Sequence, residues 1–149
     1  FGLKDNNNDG TIQGFDLFED YEFKKQKFEI VQSDIDRLGL KNYVEIKKMD
    51  AFEVQNVVKN TDLLHVDISN DGDTIEKMLL KWHKRVSKII IFEGGSIDRD
   101  NIGWMKDYGK NKISEKINEI YKIYSEWHFY VLEPFPSMTI LLRKSEFPN

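Results

Sequence analysis

The stretch Asp62 to Gly95, DLLHVDISNDGDTIEKMLLKWHKRVSKIIIFEGG, decides the fold. It opens with Leu63-Leu64-His65-Val66-Asp67, nearly continuous in apolar character, as a strand covered on both faces reads. From Asp73 to Val86, Ile75, Leu79, Trp82 and Val86 share the face of a helix, and Asp73 with Glu76 makes a capping-box-like start. Lys88-Ile89-Ile90-Ile91-Phe92 is a second buried strand. Strand, helix and strand in this order predict parallel pairing through a helical crossover.

The same alternation continues on both sides. Toward the N-terminus, Thr11 to Phe18 is rich in β-branched and aromatic residues and follows the turn-forming run Asn6 to Gly10. Phe28, Val31, Ile35 and Leu38 then fall at helical spacing, and Gly39 offers the left-handed conformation that ends a helix. Val44 and Ile46 alternate with polar neighbours in a strand ending near Asp50, and a short helix is predicted over Ala51 to Lys59. Toward the C-terminus, Ile113, Ile117, Ile120, Tyr121 and Tyr124 lie on one side of a helix. Two strands close the chain, Phe129 to Glu133 and Met138 to Arg143. Their link, Pro134-Phe135-Pro136-Ser137, is too short for a helical crossover, so the pair is an antiparallel hairpin. The expectation is a single α/β domain over residues 1–149, with a mainly parallel sheet and helices on both faces.

Composition bounds what such a domain does. The chain has 149 residues, 40% hydrophobic and 32% charged, ordinary values for a globular protein with a buried core. The net charge of -4, with both signs mixed along the chain, gives no footprint for a nucleic-acid backbone. Without cysteine there are no disulfides and no thiolate metal sites. The longest apolar run, Ile89 to Phe92, is far below the roughly 20 residues of a membrane span, and no signal peptide is visible. A cytoplasmic protein without nucleic-acid or membrane partners is therefore expected; oligomeric state is not legible.

Open α/β sheets bind ligands outside the carboxyl ends of their strands. Here those ends carry Asp16 and Glu19, Asp50, Asp67 and Glu93, so a carboxylate sits at each of four strand ends. In register along one sheet edge they would converge on one cleft. Taken singly, each acid is as readily a solvated group or a helix cap. His65 reads either as a general base or as a hydrogen-bonded core histidine.

Three of these stretches carry a resemblance. Gly14-Phe15-Asp16-Leu17-Phe18-Glu19 resembles the second strand of the class I S-adenosylmethionine-dependent methyltransferases of the macrocin O-methyltransferase type. Leu64-His65-Val66-Asp67 is similar to the end of their fourth strand, and Lys88 to Gly95 to the strand that follows. The closing hairpin is similar to their antiparallel last strand. The likeness runs from about Thr11 to Lys144 and implies a Rossmann-like fold and methyl transfer to an oxygen of a small-molecule or sugar acceptor. It implies that Asp16 accepts hydrogen bonds from the cofactor ribose, and that Asp50, Ala51 and Phe52 bind the adenine. It places Asp67 beside the methionine moiety and the reacting methyl group as a catalytic residue; His65, read as a general base, would stand beside it. In metal-dependent members Asp67 would also be a cation ligand, with Glu93 as a second carboxylate for Mg2+. The chain begins at Phe1, and on this resemblance the first strand and the glycine-rich cofactor loop lie before it.

Two other readings compete. One is a non-catalytic α/β binding or scaffold domain. The other is a calcium module, since Asp5 to Asp16 places oxygen ligands at loop positions 1, 3 and 5, Gly10 at 6, Ile12 at 8 and an acid at 12. Against calcium stand the shorter Asp16 in place of glutamate, the lack of a paired loop and an entering helix of only four residues. Asn70-Asp71-Gly72-Asp73 is an acidic turn near Asp67, readable as a cation site in the cleft or, equally, as a helix cap through Asp71 or Asp73. Trp104, Tyr108, Tyr121, Tyr124 and Trp127 read as pocket lining or core, with core expected for Tyr121 and Tyr124. Asp98, Arg99 and Asp100 open the segment where α/β enzymes often set specificity.

Overall fold

In the computed structural model, which describes residues 9–20, 26–134 and 136–148, the chain divides into two units, Phe1–Val57 and Val58–Asn149. In the first, β1 (Ile12–Asp16) and β2 (Val44–Lys48) pair in parallel, with Ile12 opposite Val44 and Asp16 opposite Lys48. Between them runs α1 (Phe28–Arg37), which buries Ile35. Its end is the one that Gly39 announces. At φ 67° Gly39 turns the chain left-handed, its N–H reaches Asp36 O at 3.0 Å, and the Leu40 N–H reaches Ile35 O at 2.9 Å. These two bonds satisfy carbonyls that the helix leaves open.

The helix expected over Ala51 to Lys59 is not there; a 3-10 turn over Val54–Asn56 takes its place. Asp50 Oδ1 accepts the Phe52 N–H at 2.8 Å, a side-chain turn that competes with helix initiation. Val54, Asn56, Val57 and Val58 then add little helical propensity.

Glu19 follows β1 in a 3-10 turn and faces Lys48 at 2.5 Å. The hydrogen bond from Lys48, then that from the Phe28 N–H, lowers its pKa to about 2. A carboxylate depressed in the folded state stabilises above its unfolded pKa and stops doing so as pH falls through the folded one. Acid titration from pH about 4.5 to about 2 should therefore weaken this unit. In urea titrations a Glu19→Gln variant should lose that pH dependence; an unchanged slope would exclude this ion pair as its source.

The second unit contains the deciding stretch. Its strands are β3 (Thr61–Val66), β4 (Val86–Glu93), β5 (Trp127–Leu132) and β6 (Met138–Arg143), in the order β3-β4-β6-β5. β3 and β4 are parallel, and β6 is antiparallel to both β4 and β5. The mainly parallel expectation with a closing hairpin is met. The crossover is α2 (Gly72–Trp82). It is shorter than predicted, because the Arg85 N–H turns back to Trp82 O and Val86 opens β4 opposite Thr61. Its cap is Asp71, not Asp73: Asp71 Oδ2 accepts the Thr74 N–H at 3.1 Å, and Oδ1 accepts the Asn111 N–H at 2.8 Å. Asp71→Ala strips both and should destabilise the protein by about 1–2 kcal/mol, read from chemical unfolding. A loss no larger than that of Asp73→Ala would reassign the cap.

Three helices follow β4: α3 (Ile97–Asp100), α4 (Gly103–Asp107) and α5 (Ile113–Tyr121). The first two are too short to leave a readable period. Val66, Ile90, Phe92, Thr139, Leu141 and Trp127 share one face of the sheet by pleat parity, and all are buried. Ile117 of α5 reaches this face beside Gly95 and Thr139. Tyr124 belongs to the core, whereas Tyr121 is 58% exposed with its ring edge-on to Phe129, contrary to expectation. No helix among the described residues is long and apolar enough to cross a membrane.

Candidate active site

The opposite face of the four-stranded sheet presents the candidate residues. Pleat parity places His65, Glu93, Met138 and Leu132 on it: His65 stands opposite Ile91, Glu93 opposite Met138, and Met138 opposite Leu132. Asp67, two residues past His65, continues the row beyond the end of β3. These side chains line a cavity of about 490 Å³ at the carboxyl ends of β3 and β4. The turn between β5 and β6 forms its other wall, through Glu133, Pro134, Pro136 and Ser137; Phe135 lies outside the described residues.

The structure thus brings together His65, Asp67 and Glu93, three of the residues singled out from sequence. His65 is exposed to the cavity and has no hydrogen-bond partner among the described residues, so it is not a hydrogen-bonded core histidine. Asp67 likewise has none. Glu93 differs: Arg99, 3% exposed, donates from Nε at 3.2 Å and Nη2 at 3.1 Å to Glu93 Oε1, and its guanidinium stacks 4.6 Å above the Trp104 ring.

That ion pair bears on the cation reading. Glu93 already faces a fixed positive charge, and a hard cation beside it would be repelled by Arg99. Among the described residues no group of three His, Cys, Asp or Glu could hold a metal ion. The pair Asp67 and Glu93 does not fit Mg2+. The calcium loop fares no better. Ile12–Asp16 is a strand where the loop's last ligand should start a helix, and Asp16 Oδ1 is taken by the Phe18 N–H at 2.6 Å. Asp5, Asn6, Asn7 and Asn8 lie outside the described residues.

Asp16 and Asp50 stand in the first unit at the ends of adjacent parallel strands. Each carboxylate is oriented by an N–H two residues on, from Phe18 and from Phe52. Asp100 and Arg99 prove to be scaffolding: Asp100 caps α5 by accepting the Ile113 and Ser114 N–H groups at 3.0 and 2.8 Å. The aromatic cluster does not line the cavity. Trp127 is core, and Tyr108, 74% exposed, sits edge-on to Trp104.

Sequence reasoning missed the hairpin turn as a wall. Its signal was available in the Glu133-Pro134 and Pro136-Ser137 pairs, which interrupt a strand pattern where no crossover helix follows. Ser137 adopts φ 53°, a left-handed conformation unusual for serine, and is 4% exposed.

No protein-family model and no curated protein matches this sequence. Solved structures do match by fold. An O-methyltransferase family protein from Burkholderia thailandensis aligns with a TM-score of 0.62 at 10% identity, over 89% of this chain and 43% of that one. An O-methyltransferase from Bacillus cereus, solved in complex with S-adenosylhomocysteine, aligns at 0.59 and 16% identity, over 91% and 63%. An rRNA methylase from Streptococcus thermophilus aligns at 0.55 and 11%, over 89% and 73%. The chain therefore spans less than half of the Burkholderia protein. It has the Rossmann-like α/β fold of methyltransferases.

Proposed function

We propose that this chain is part of an S-adenosylmethionine-dependent methyltransferase acting on an oxygen of a small molecule or sugar. The observation that carries the reading is the cavity at the carboxyl ends of β3 and β4, with His65 and Asp67 on its wall and without a partner among the described residues. The Bacillus protein's complex with S-adenosylhomocysteine supports the cofactor. The Streptococcus rRNA methylase shows that the fold alone does not name the acceptor.

The residues present fit the cofactor. An ionised carboxylate is suited to two adjacent hydroxyl donors, and Asp16, oriented by the Phe18 N–H, is assigned to the ribose hydroxyls. Asp50, with the Ala51 and Phe52 that follow it, is assigned to the adenine edge and face. When bound, S-adenosylmethionine supplies an electrophilic methyl group. His65 takes the proton of the acceptor hydroxyl, and Asp67 holds the acceptor and the positive charge beside it. Both units are assigned to one methyltransferase-like domain.

The outer edge of β3, which pairs only with β4 among the described residues, supports a further parallel strand there. We assign to it the first strand and the glycine-rich loop, to be sought in the full-length gene. The decisive experiment is calorimetric titration of S-adenosylhomocysteine into the full-length protein. Micromolar binding that Asp16→Ala weakens about tenfold, or ~1.4 kcal/mol, is expected. No binding by the intact protein would sink the proposal.

A further inference from the structure

The cavity has a charge that the proposed reaction leaves unexplained. Three carboxylates line it, Asp67, Glu93 and Glu133, and among the described residues no lysine or arginine does. Arg99 answers one of them, Glu93, from behind the wall. Asp67 and Glu133 have no hydrogen-bond or ion-pair partner among the described residues. They stand at opposite sides of the space, one past the end of β3 and the other past the end of β5.

The rest of the wall is apolar. Leu132 and Met138, 51% and 41% exposed, turn toward the cavity with Pro134 and Pro136. Carboxylates set in a concave wall with apolar neighbours give the space a negative potential. A ligand there meets negative potential at both ends and an apolar surface between. One polar group in the wall is also incompletely used. The Ser137 hydroxyl, 4% exposed, accepts the Ser96 N–H at 3.4 Å, while its own proton has no acceptor among the described residues.

We infer that the cavity takes a small acceptor bearing an amine, with an apolar body and a hydroxyl, and that Glu133 is the residue that selects the cation. The inference rests on the methyltransferase reading and names its substrate class. Asp67 is assigned to the reaction centre, which leaves Glu133 as the counterion of the acceptor. A cavity of about 490 Å³ suits a molecule of one or two rings. Anionic acceptors are selected against. A phosphodiester strand would bring its charge against Asp67 and Glu133, with no basic side chain in the lining to meet it. The charge pattern thus separates two acceptor classes that a shared fold leaves together.

The test uses two probes with the same ring and hydroxyl and opposite charge, tyramine and 3-(4-hydroxyphenyl)propionate, titrated into the full-length protein and followed by ligand-observed NMR. Tyramine should bind at least tenfold more tightly, and Glu133→Gln should reduce that preference to within about threefold. Glu133 is exposed and makes no internal bond, so the variant should fold. Equal or tighter binding of the propionate would overturn the inference, as would a preference that Glu133→Gln leaves intact. Displacement of tyramine by a short RNA oligonucleotide would overturn it in favour of a nucleic-acid acceptor. S-adenosylhomocysteine titrated into the same samples keeps the two questions apart. Its binding without an amine preference would end this inference and leave the methyltransferase standing. An amine preference without its binding would end the methyltransferase reading and leave the cation-selective cavity.

Discussion

Gly95→Ala is expected to destabilise the protein by roughly 3 kcal/mol, the sum of a left-handed penalty of about 1–2 and an overpacking cost of about 1–3. Gly95 sits at φ 112°, and a Cβ there would collide with Thr139 Oγ1 and come within 2.7 Å of Ile117 Cδ1. Neither neighbour can retreat cheaply. Thr139 is fully buried, and its hydroxyl donates to Gly94 O at 2.7 Å, so moving it exposes an unmet carbonyl. Ile117 belongs to α5, whose packing on the sheet depends on this close approach. The measurement is the urea midpoint, with Gly103→Ala as the control, because a Cβ on Gly103 meets nothing within 4 Å. A loss below about 1 kcal/mol at Gly95 would mean that α5 can shift without cost, and that the packing described here is looser than its geometry.

This result bears on what the sequence could tell. Glu93-Gly94-Gly95 was legible as a motif, through resemblance, but not as a physical requirement, because the side chains that make it one come from Ile117 and Thr139, far along the chain. The strands and helices with strong periods, α1, α2, β3 and β4, were read to within a few residues. The misreadings fell where a local side-chain bond competes with period. Asp50 turns the chain where a helix was expected, and of the two caps the sequence offers, Asp71 and Asp73, the bond to the Thr74 N–H selects Asp71. Tyr121 was placed in the core because its spacing matches Ile117, yet the helix ends there and the ring swings out over Phe129.

The candidate site divides in the same way. Asp67 and His65 were found because strand ends can be located from one strand's own pattern. That His65 faces the cavity without a partner, and that Glu93 is engaged by Arg99, depends on side chains outside their own strands. Glu133 went unread as a site residue for a related reason. In this sheet β6 runs antiparallel to both β4 and β5, so β5 follows the direction of β3 and β4 and the turn after it lies at their carboxyl ends.

His65→Gln should slow methyl transfer by roughly two to four orders of magnitude, the range for loss of a positioned general base. A neutral imidazole offers an acceptor and a donor nitrogen at once, and no described residue claims either nitrogen of His65. Glutamine keeps the length and polarity of the side chain but cannot carry the proton away, so binding should survive while turnover does not. The assay is mass-spectrometric detection of methylated acceptor by the full-length protein, with S-adenosylhomocysteine affinity expected to stay within about threefold. Asp67→Asn should fall in the same range. If the two side chains act on one proton transfer, the double variant will be little slower than the slower single one, because groups that serve one step do not lose rate additively. His128 supplies the control. It lies on the same sheet face, opposite Leu142, outside the cavity lining, and His128→Gln should leave turnover unchanged. A loss of less than about tenfold at His65, with Asp67→Asn still inactive, would move the base from the imidazole to the carboxylate. His65 would then be part of the wall that shapes the acceptor site.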